Sequence, residues 1–183
     1  MHIFLQGQRN IGKSTVIKKT LDILSQRVQL VTGGFFTWNG GSGDPNIYMC
    51  PARQGGEKEA FRVAGLGEGY SAETHVRGGM VCDIEAFESG GARLITESNN
   101  ADLIIMDELG YLESDAPKFK KAVLDAIAGN IPILGVVRLG DIPWHKDIKL
   151  NHSVTLIDVN MENRGVLPFE LVDKLLEYFR NPG

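Results

Sequence analysis

Cysteine is scarce in this chain: 183 residues hold two, Cys50 and Cys82, neither in a C-x-x-C pair, and no Cys/His group has zinc spacing. Two free thiols in a reducing compartment are the preferred reading over a disulfide. A basic surplus is also lacking. The formal net charge is −4, so no affinity for nucleic acid or for an anionic membrane is expected. The basic pairs Lys18-Lys19 and Lys120-Lys121 suit solvated helix faces. No apolar run approaches the roughly 20 residues of a membrane span, and the short N-terminal apolar stretch is too brief for a signal-peptide core. A cytoplasmic location is expected, and no protein partner is indicated. No internal repeat is apparent. What remains is ordinary for one folded domain over 1–183: 43% hydrophobic and 23% charged residues.

What is present centres on Gly7-Gln8-Arg9-Asn10-Ile11-Gly12-Lys13-Ser14-Thr15, which fits G-x-x-x-x-G-K-[ST]. The apolar residues 2–5 before it read as a buried strand, and 16–26 after it read as a helix. That context separates a phosphate-binding loop from a glycine-rich turn. The glycines let successive N–H groups face inward as an anion nest, and the helix start adds unpaired donors and a positive dipole end. Lys13 is placed to reach β- and γ-phosphates, and Ser14 to ligate Mg²⁺.

Along the rest of the chain, 28–37 reads as a second strand whose Gly33-Gly34 pair implies a bulge or a close backbone neighbour. Residues 38–45 read as a turn and 35–50 as a hairpin. Residues 53–79 read as a Gly- and charge-rich excursion with a flexible connection at 65–69. A short strand at 80–84, a helix over 85–98 weakened by Gly90-Gly91, and a buried strand at 102–107 follow. A helix capped by Ser114 or Asp115 with Pro117 in its first turn, a strand at 132–137, a loop at 139–152, a strand at 154–159 and a closing helix complete the pattern. Strands and helices alternate, and the strands are apolar on both faces. The expected fold is α/β: a three-layer P-loop NTPase arrangement with a mostly parallel sheet, helices on both faces, and a hairpin or loop insertion after strand 2, roughly 38–79.

The strand Leu103-Ile104-Ile105-Met106 leads into Asp107-Glu108, an acid pair at the carboxyl end of a strand, where ligands of open α/β sheets bind. Asp107 is expected to hold Mg²⁺, directly or through a water. Glu108 is expected to orient or deprotonate a water aimed at the γ-phosphate. Arg138, at the end of PILGVV, points to that phosphate if its strand lies between the two motif strands; a surface arginine paired with Asp141 or Asp147 is the alternative. Asn163 and Arg164 are candidate base or ribose contacts, with Asn163 as a local cap the alternative. An N-K-x-D guanine signature is absent. His75, His145 and His152 read as surface histidines, and Tyr111 and Trp144 as core or rim residues.

These segments together resemble the small nucleoside-triphosphatases that include the cancer-related nucleoside-triphosphatase and its thermophile relatives. The resemblance is carried by GQRNIGKST at 7–15, GGFFT at 33–37, MVCDIEAFE at 80–88, MDELGYLE at 106–113 and DVNMENRGVLP at 158–168. It implies Mg²⁺-dependent hydrolysis of a nucleoside triphosphate (ATP, GTP) to diphosphate and phosphate, with loose base selectivity. Asn10 stands where many members have glycine, and WNGGSG follows GGFFT where members carry charged residues. Two other uses of the same loop remain open on sequence: a small-molecule or nucleotide kinase, with Arg53, Arg62 and Arg77 in a lid, and a nucleotide-operated switch.

Overall fold

The computed structural model describes residues 1–66, 74–77 and 79–180; the expected connection at 65–69 lies partly outside them. Nine strands are described: β1 His2–Gln6, β2 Thr32–Asn39, β3 Ile47–Pro51, β4 Phe61–Gly65, β5 Thr74–Arg77, β6 Met80–Asp83, β7 Leu103–Leu109, β8 Ile133–Val137 and β9 Val154–Asp158. They form one sheet in the order β5-β6-β4-β3-β2-β7-β8-β1-β9. From β2 to β9 the neighbours are parallel; from β2 outward through β3, β4, β6 and β5 they are antiparallel. The parallel part holds both motif strands, with β8 between β7 and β1.

The apolar strands are buried on both faces because successive side chains point to opposite sides. Ile3, Leu5, Leu103, Ile105, Leu134 and Val136 pack with α1 (Lys13–Ser25) and α5 (Leu167–Arg180). Phe4, Ile104, Met106, Ile133 and Val137 pack on the other face with α2 (Ala92–Thr96), α3 (Pro117–Ala128) and α4 (His145–Lys149). In α1 the stripe Val16, Ile17, Thr20 and Leu24 is buried, as helical spacing requires.

Several expectations shift. The second strand begins at Thr32 rather than at 28, and it runs through Trp38 and Asn39, which pair with Tyr48 and Ile47 instead of forming the turn. Ser98 Oγ accepts the Gly34 N–H at 2.8 Å, and the Ile105 carbonyl presses on the same glycine, so the close neighbour implied by Gly33-Gly34 is present. The helix expected over 85–98 is present as one helical run that widens to π geometry over Ala86–Gly91, continues as α2 and tightens to 3-10 geometry at Glu97–Asn100. Its glycines lie directly on the rings of Phe61 and Phe119, where a Cβ would collide.

No side chain of the 114–116 segment caps α3. Glu88 accepts the N–H groups of Lys118 (2.6 Å) and Phe119 (3.3 Å) instead, while Asp115 meets His75 at 2.8 Å. His145, read as a surface residue, is buried and lies edge-on to Trp144. Among the described residues, no helix is long and apolar enough to cross a membrane.

Candidate functional site

β1 delivers the chain into the 7–12 loop, and α1 starts at Lys13 with no side-chain cap and no acid in its first turn. Its leading N–H groups therefore lack an internal partner of either kind. Gly12 holds φ +106°, and a Cβ there would meet nothing within 4 Å, because it would enter open space. Asn10 sits at φ +62°, a conformation asparagine tolerates better than most residues, so the departure from glycine keeps the turn. Lys13 Nζ donates to the carbonyls of Gly7 (3.0 Å) and Gln8 (2.9 Å), folded across its own loop. The concave space so formed suits a polyanion.

The second motif meets the first directly. Ser14 Oγ donates to Asp107 Oδ1 at 2.9 Å, across 93 residues of sequence. Asp107 is fully buried, and its Oδ2 has no hydrogen-bond partner. Burial pushes its carboxyl up to about 7, the Ser14 hydrogen bond opposing that rise. A buried carboxylate oxygen without a partner, next to a serine hydroxyl, is the donor set a hard divalent cation takes alongside phosphate oxygens. The residues present fit Mg²⁺. Among the described residues no three His, Cys, Asp or Glu converge on one point, so a cation here would take most of its remaining ligands from phosphate or water.

Asp107, expected at the end of its strand, lies inside β7, which runs on through Glu108 to Leu109. The ladder to β8 pairs Met106 with Gly135 and then Leu109 with Val137, so two residues stand opposite one. Such a bulge re-aims side chains locally. Glu108 is left partly exposed with Arg138 Nη1 3.9 Å from its Oε1. Arg138 follows β8, its N–H donates to the Leu109 carbonyl at 2.9 Å, and its guanidinium lies 4.5 Å over the Tyr111 ring. The structure thus brings Lys13, Ser14, Asp107, Glu108 and Arg138 to one place. Arg138 forms its ion pair with Glu108 and not with Asp141 or Asp147.

Asn163 and Arg164 stand elsewhere. Asn163 Oδ1 accepts the Asn160 N–H at 2.9 Å and its Nδ2 donates to the Asp158 carbonyl at 2.7 Å, so its amide closes the turn after β9. Arg164 Nη1 donates to the Ile11 carbonyl at 3.3 Å, bracing the phosphate loop from outside.

Two features escaped sequence reading. Glu113 is buried and accepts the Gly110 N–H; burial pushes its carboxyl up to about 7. From the other side, Trp144 Nε1 donates to the Gly110 carbonyl at 3.0 Å. The backbone that follows Glu108 is thereby clamped at both polar groups. An acid in a polar loop gives no sign that it will be buried; its place in MDELGYLE, one of the segments that carry the family resemblance, is the available signal. The second feature is a cavity of about 960 Å³ that runs from the phosphate loop past Glu108 to Trp38, Ile47, Val63, Met80 and Phe87. Arg53 pairs with Glu59, and neither it nor Arg62 lines this cavity.

The family model for NTPase matches residues 2–172 of the chain. The nucleoside-triphosphatase THEP1 of Thermofilum pendens is 29% identical, covering 95% of this chain and 94% of its own. The THEP1 of Thermotoga maritima is 26% identical over 96% and 95%. Among solved structures, THEP1 from the hyperthermophile Aquifex aeolicus superposes with a TM-score of 0.79 at 21% identity, covering 96% of this chain and 99% of that one. A human cancer-related nucleoside triphosphatase superposes with a TM-score of 0.75 at 23% identity, covering 96% and 97%. At these identities the two structures speak for the fold.

Proposed function

The chain belongs to the NTPase family, and from that premise we propose that it hydrolyses nucleoside triphosphates to diphosphate and phosphate, with Mg²⁺ and with little base preference. The observation that carries the reading is the Ser14–Asp107 hydrogen bond beside the unpartnered, buried Oδ2 of Asp107. The whole of 1–183 acts as one P-loop domain, and Cys50 and Cys82, buried thiols outside any disulfide, accord with a cytoplasmic setting.

The loop amides from Gly7 to Gly12 and the start of α1, at Lys13, Ser14 and Thr15, hold the phosphates; Lys13 leaves the carbonyls of Gly7 and Gln8 to contact the β- and γ-phosphates. Ser14 and Asp107 hold Mg²⁺, which when bound neutralises charge on the β- and γ-oxygens. Glu108 takes the proton of the attacking water, a contribution of about 10²–10⁴-fold. Arg138, released from Glu108 by the incoming anion, balances charge on the γ-phosphoryl group.

With the γ-phosphate held towards β7, the nucleoside lies towards β9, over the turn that Asn163 and Arg164 build. There the Asn163 amide is already spent on its own turn, which supports loose reading of the base; the two residues shape the floor of that subsite and hold the loop. The test is phosphate release from ATP, GTP, CTP and UTP with and without Mg²⁺, repeated with Glu108→Gln. Release from several NTPs, dependent on Mg²⁺ and reduced about 10²-fold or more in the variant, is expected. Metal-independent release, or an unimpaired Glu108→Gln enzyme, would refute the assignment.

A further inference from the structure

The cavity extends past the point where the triphosphate ends. Strand order fixes the direction: β7, with Asp107 and Glu108, lies on one side of β1, and β9, with the turn after it, on the other. A γ-phosphate beside Glu108 leaves the rest of its nucleotide on the β9 side. The cavity runs the opposite way, over the ends of β2, β3, β4 and β6, and neither Asn163 nor Arg164 lines it. Single small-molecule sites span about 300–1,000 Å³, and the 960 Å³ here takes in the phosphate loop at one end and the hairpin strands at the other. A triphosphate tip needs only the loop end of it.

The far end has its own chemistry. Ile47, Val63, Met80, Phe87 and Leu112 form an apolar floor contributed by separate elements, with Val63 and Phe87 nearly inaccessible. Trp38 forms a flat wall, held by stacking on Tyr48 at 5.8 Å between ring centres and 24° between planes. Asn39 and Asp44 supply polar groups at the rim. Asp44 is itself fixed by hydrogen bonds from the Asn46 N–H (3.0 Å) and the Tyr48 hydroxyl (2.9 Å). Every basic side chain in the lining, namely Arg9, Lys13, Lys18 and Arg138, comes from the phosphate loop, α1 or the end of β8. Among the described lining residues the hairpin half has an acid, Asp44, and no base, Arg62 beside Asp44 being outside the lining; this disfavours a phosphorylated occupant and favours an uncharged ring-bearing alcohol. An apolar pocket with a few rim polar groups and a flat aromatic wall is what such a ligand needs.

We propose that this pocket is a phosphoryl-acceptor subsite for an uncharged, ring-bearing alcohol of nucleoside size, so that the protein transfers the γ-phosphoryl group to it as well as to water. The proposal rests on the triphosphate placement given above. Glu108 lines the same cavity as the phosphate loop and the hairpin strands, and serves both reactions. The acceptor hydroxyl oxygen forms a bond to the γ-phosphorus, and the bond from that phosphorus to the β–γ bridging oxygen breaks. The bridging oxygen leaves with the electron pair on the nucleoside diphosphate, and the hydroxyl proton passes to the Glu108 carboxylate. An alcohol held on the Trp38 wall displaces the attacking water, so occupancy diverts the phosphoryl group instead of adding a second step.

The experiment incubates the full chain with γ-labelled ATP and Mg²⁺, alone and with adenosine, guanosine, cytidine or thymidine, and follows labelled phosphate and labelled nucleoside monophosphate together. Expected is labelled monophosphate with at least one nucleoside and a matching fall in free phosphate. The ratio of transfer to hydrolysis should drop about tenfold in Met80→Trp, which fills the floor, and in Trp38→Ala, which removes the wall. Because both products come from the same folded enzyme, the ratio is insensitive to partial misfolding. Phosphate release from ATP alone with no transfer to any of the four nucleosides overturns the proposal and leaves the hydrolase reading standing. Transfer whose ratio is the same in both variants overturns the assignment of the pocket. Neither release nor transfer, with no ATP binding, refutes the triphosphate site beneath it.

Discussion

Glu113 is the residue whose behaviour departs most from its appearance. Its carboxyl is favoured neutral in the fold, raised from an ordinary 4.5 to about 7. Its ionisation therefore lowers stability as pH rises from about 4.5 through 7, and leaves stability untouched below that range. Glu113→Gln keeps an acceptor for the Gly110 N–H and removes the ionisation. We expect it to be more stable than the parent by about 1–3 kcal/mol at pH 8 and equal to it at pH 4.5, read from urea midpoints. Glu113→Ala strands a buried N–H and should cost about 1–3 kcal/mol at pH 4.5, and less than that at pH 8, where it too escapes the ionisation. A Gln variant whose advantage over the parent is no larger at pH 8 than at pH 4.5 would show that the parent's carboxyl is not held neutral. Arg138 is the other informative position. As a charge supplied in cis, its replacement by Ala should lower kcat by about 10²–10³ with a small change in nucleotide affinity. A drop confined to KM would assign it to binding alone.

At the level of elements, what the sequence made legible was local. The strand–loop–helix of 2–26 and the apolar run before Asp107 are short-range patterns, and both stand where they were read. What it hid was supplied by tertiary neighbours. The 85–98 segment is helical as its residues suggest, yet its glycines, packed against the rings of Phe61 and Phe119, lie in a π-wide stretch that the sequence does not announce. The start of α3 has no capping side chain in its own sequence because Glu88 reaches over from the preceding helical segment. Glu88→Ala should cost about 1 kcal/mol of stability, seen as a lower urea midpoint with an unchanged m-value. An unaltered midpoint would mean that solvent satisfies those amides equally well. The sequence puts the acid pair at the end of its strand, whereas β7 continues through Leu109, with Asp107 buried and Glu108 partly exposed at a bulge. A continuous apolar run locates a buried strand but carries no sign of such an irregularity.

For the molecule as a whole, the parallel sheet and its two helical layers follow from alternating apolar strands and amphipathic helices, so they were readable. The long cavity was not, since Ile47, Val63, Met80 and Phe87 come from separate elements that only the antiparallel additions bring together. Protonation is also a property of the whole. His2 and His145 are held neutral, each lowered by burial to about 4, while Asp107 and Glu113 are raised to about 7. Between pH ~4.5 and ~6.5 the unfolded chain gains protons on the histidines as the folded one gains them on the acids, and the two effects offset. The ligand-free protein should keep a flat thermal midpoint across that window. From pH ~6.5 to ~7.5 the midpoint should fall, because only the buried acids still hold extra protons in the fold. A midpoint that climbs through pH 7 would contradict this balance.

The central claim is that one triphosphate and one cation lie between the phosphate loop and β7. The most direct measurement is a crystal structure of the protein with Mg²⁺ and a non-hydrolysable NTP analogue. It should show the cation at about 2.0–2.1 Å from Ser14 Oγ and from β- and γ-oxygens, with Asp107 Oδ2 bound to it directly or through one water, and Glu108 facing the γ-phosphorus. A cation on other ligands, or a triphosphate whose terminal phosphate points towards β9, would contradict the account.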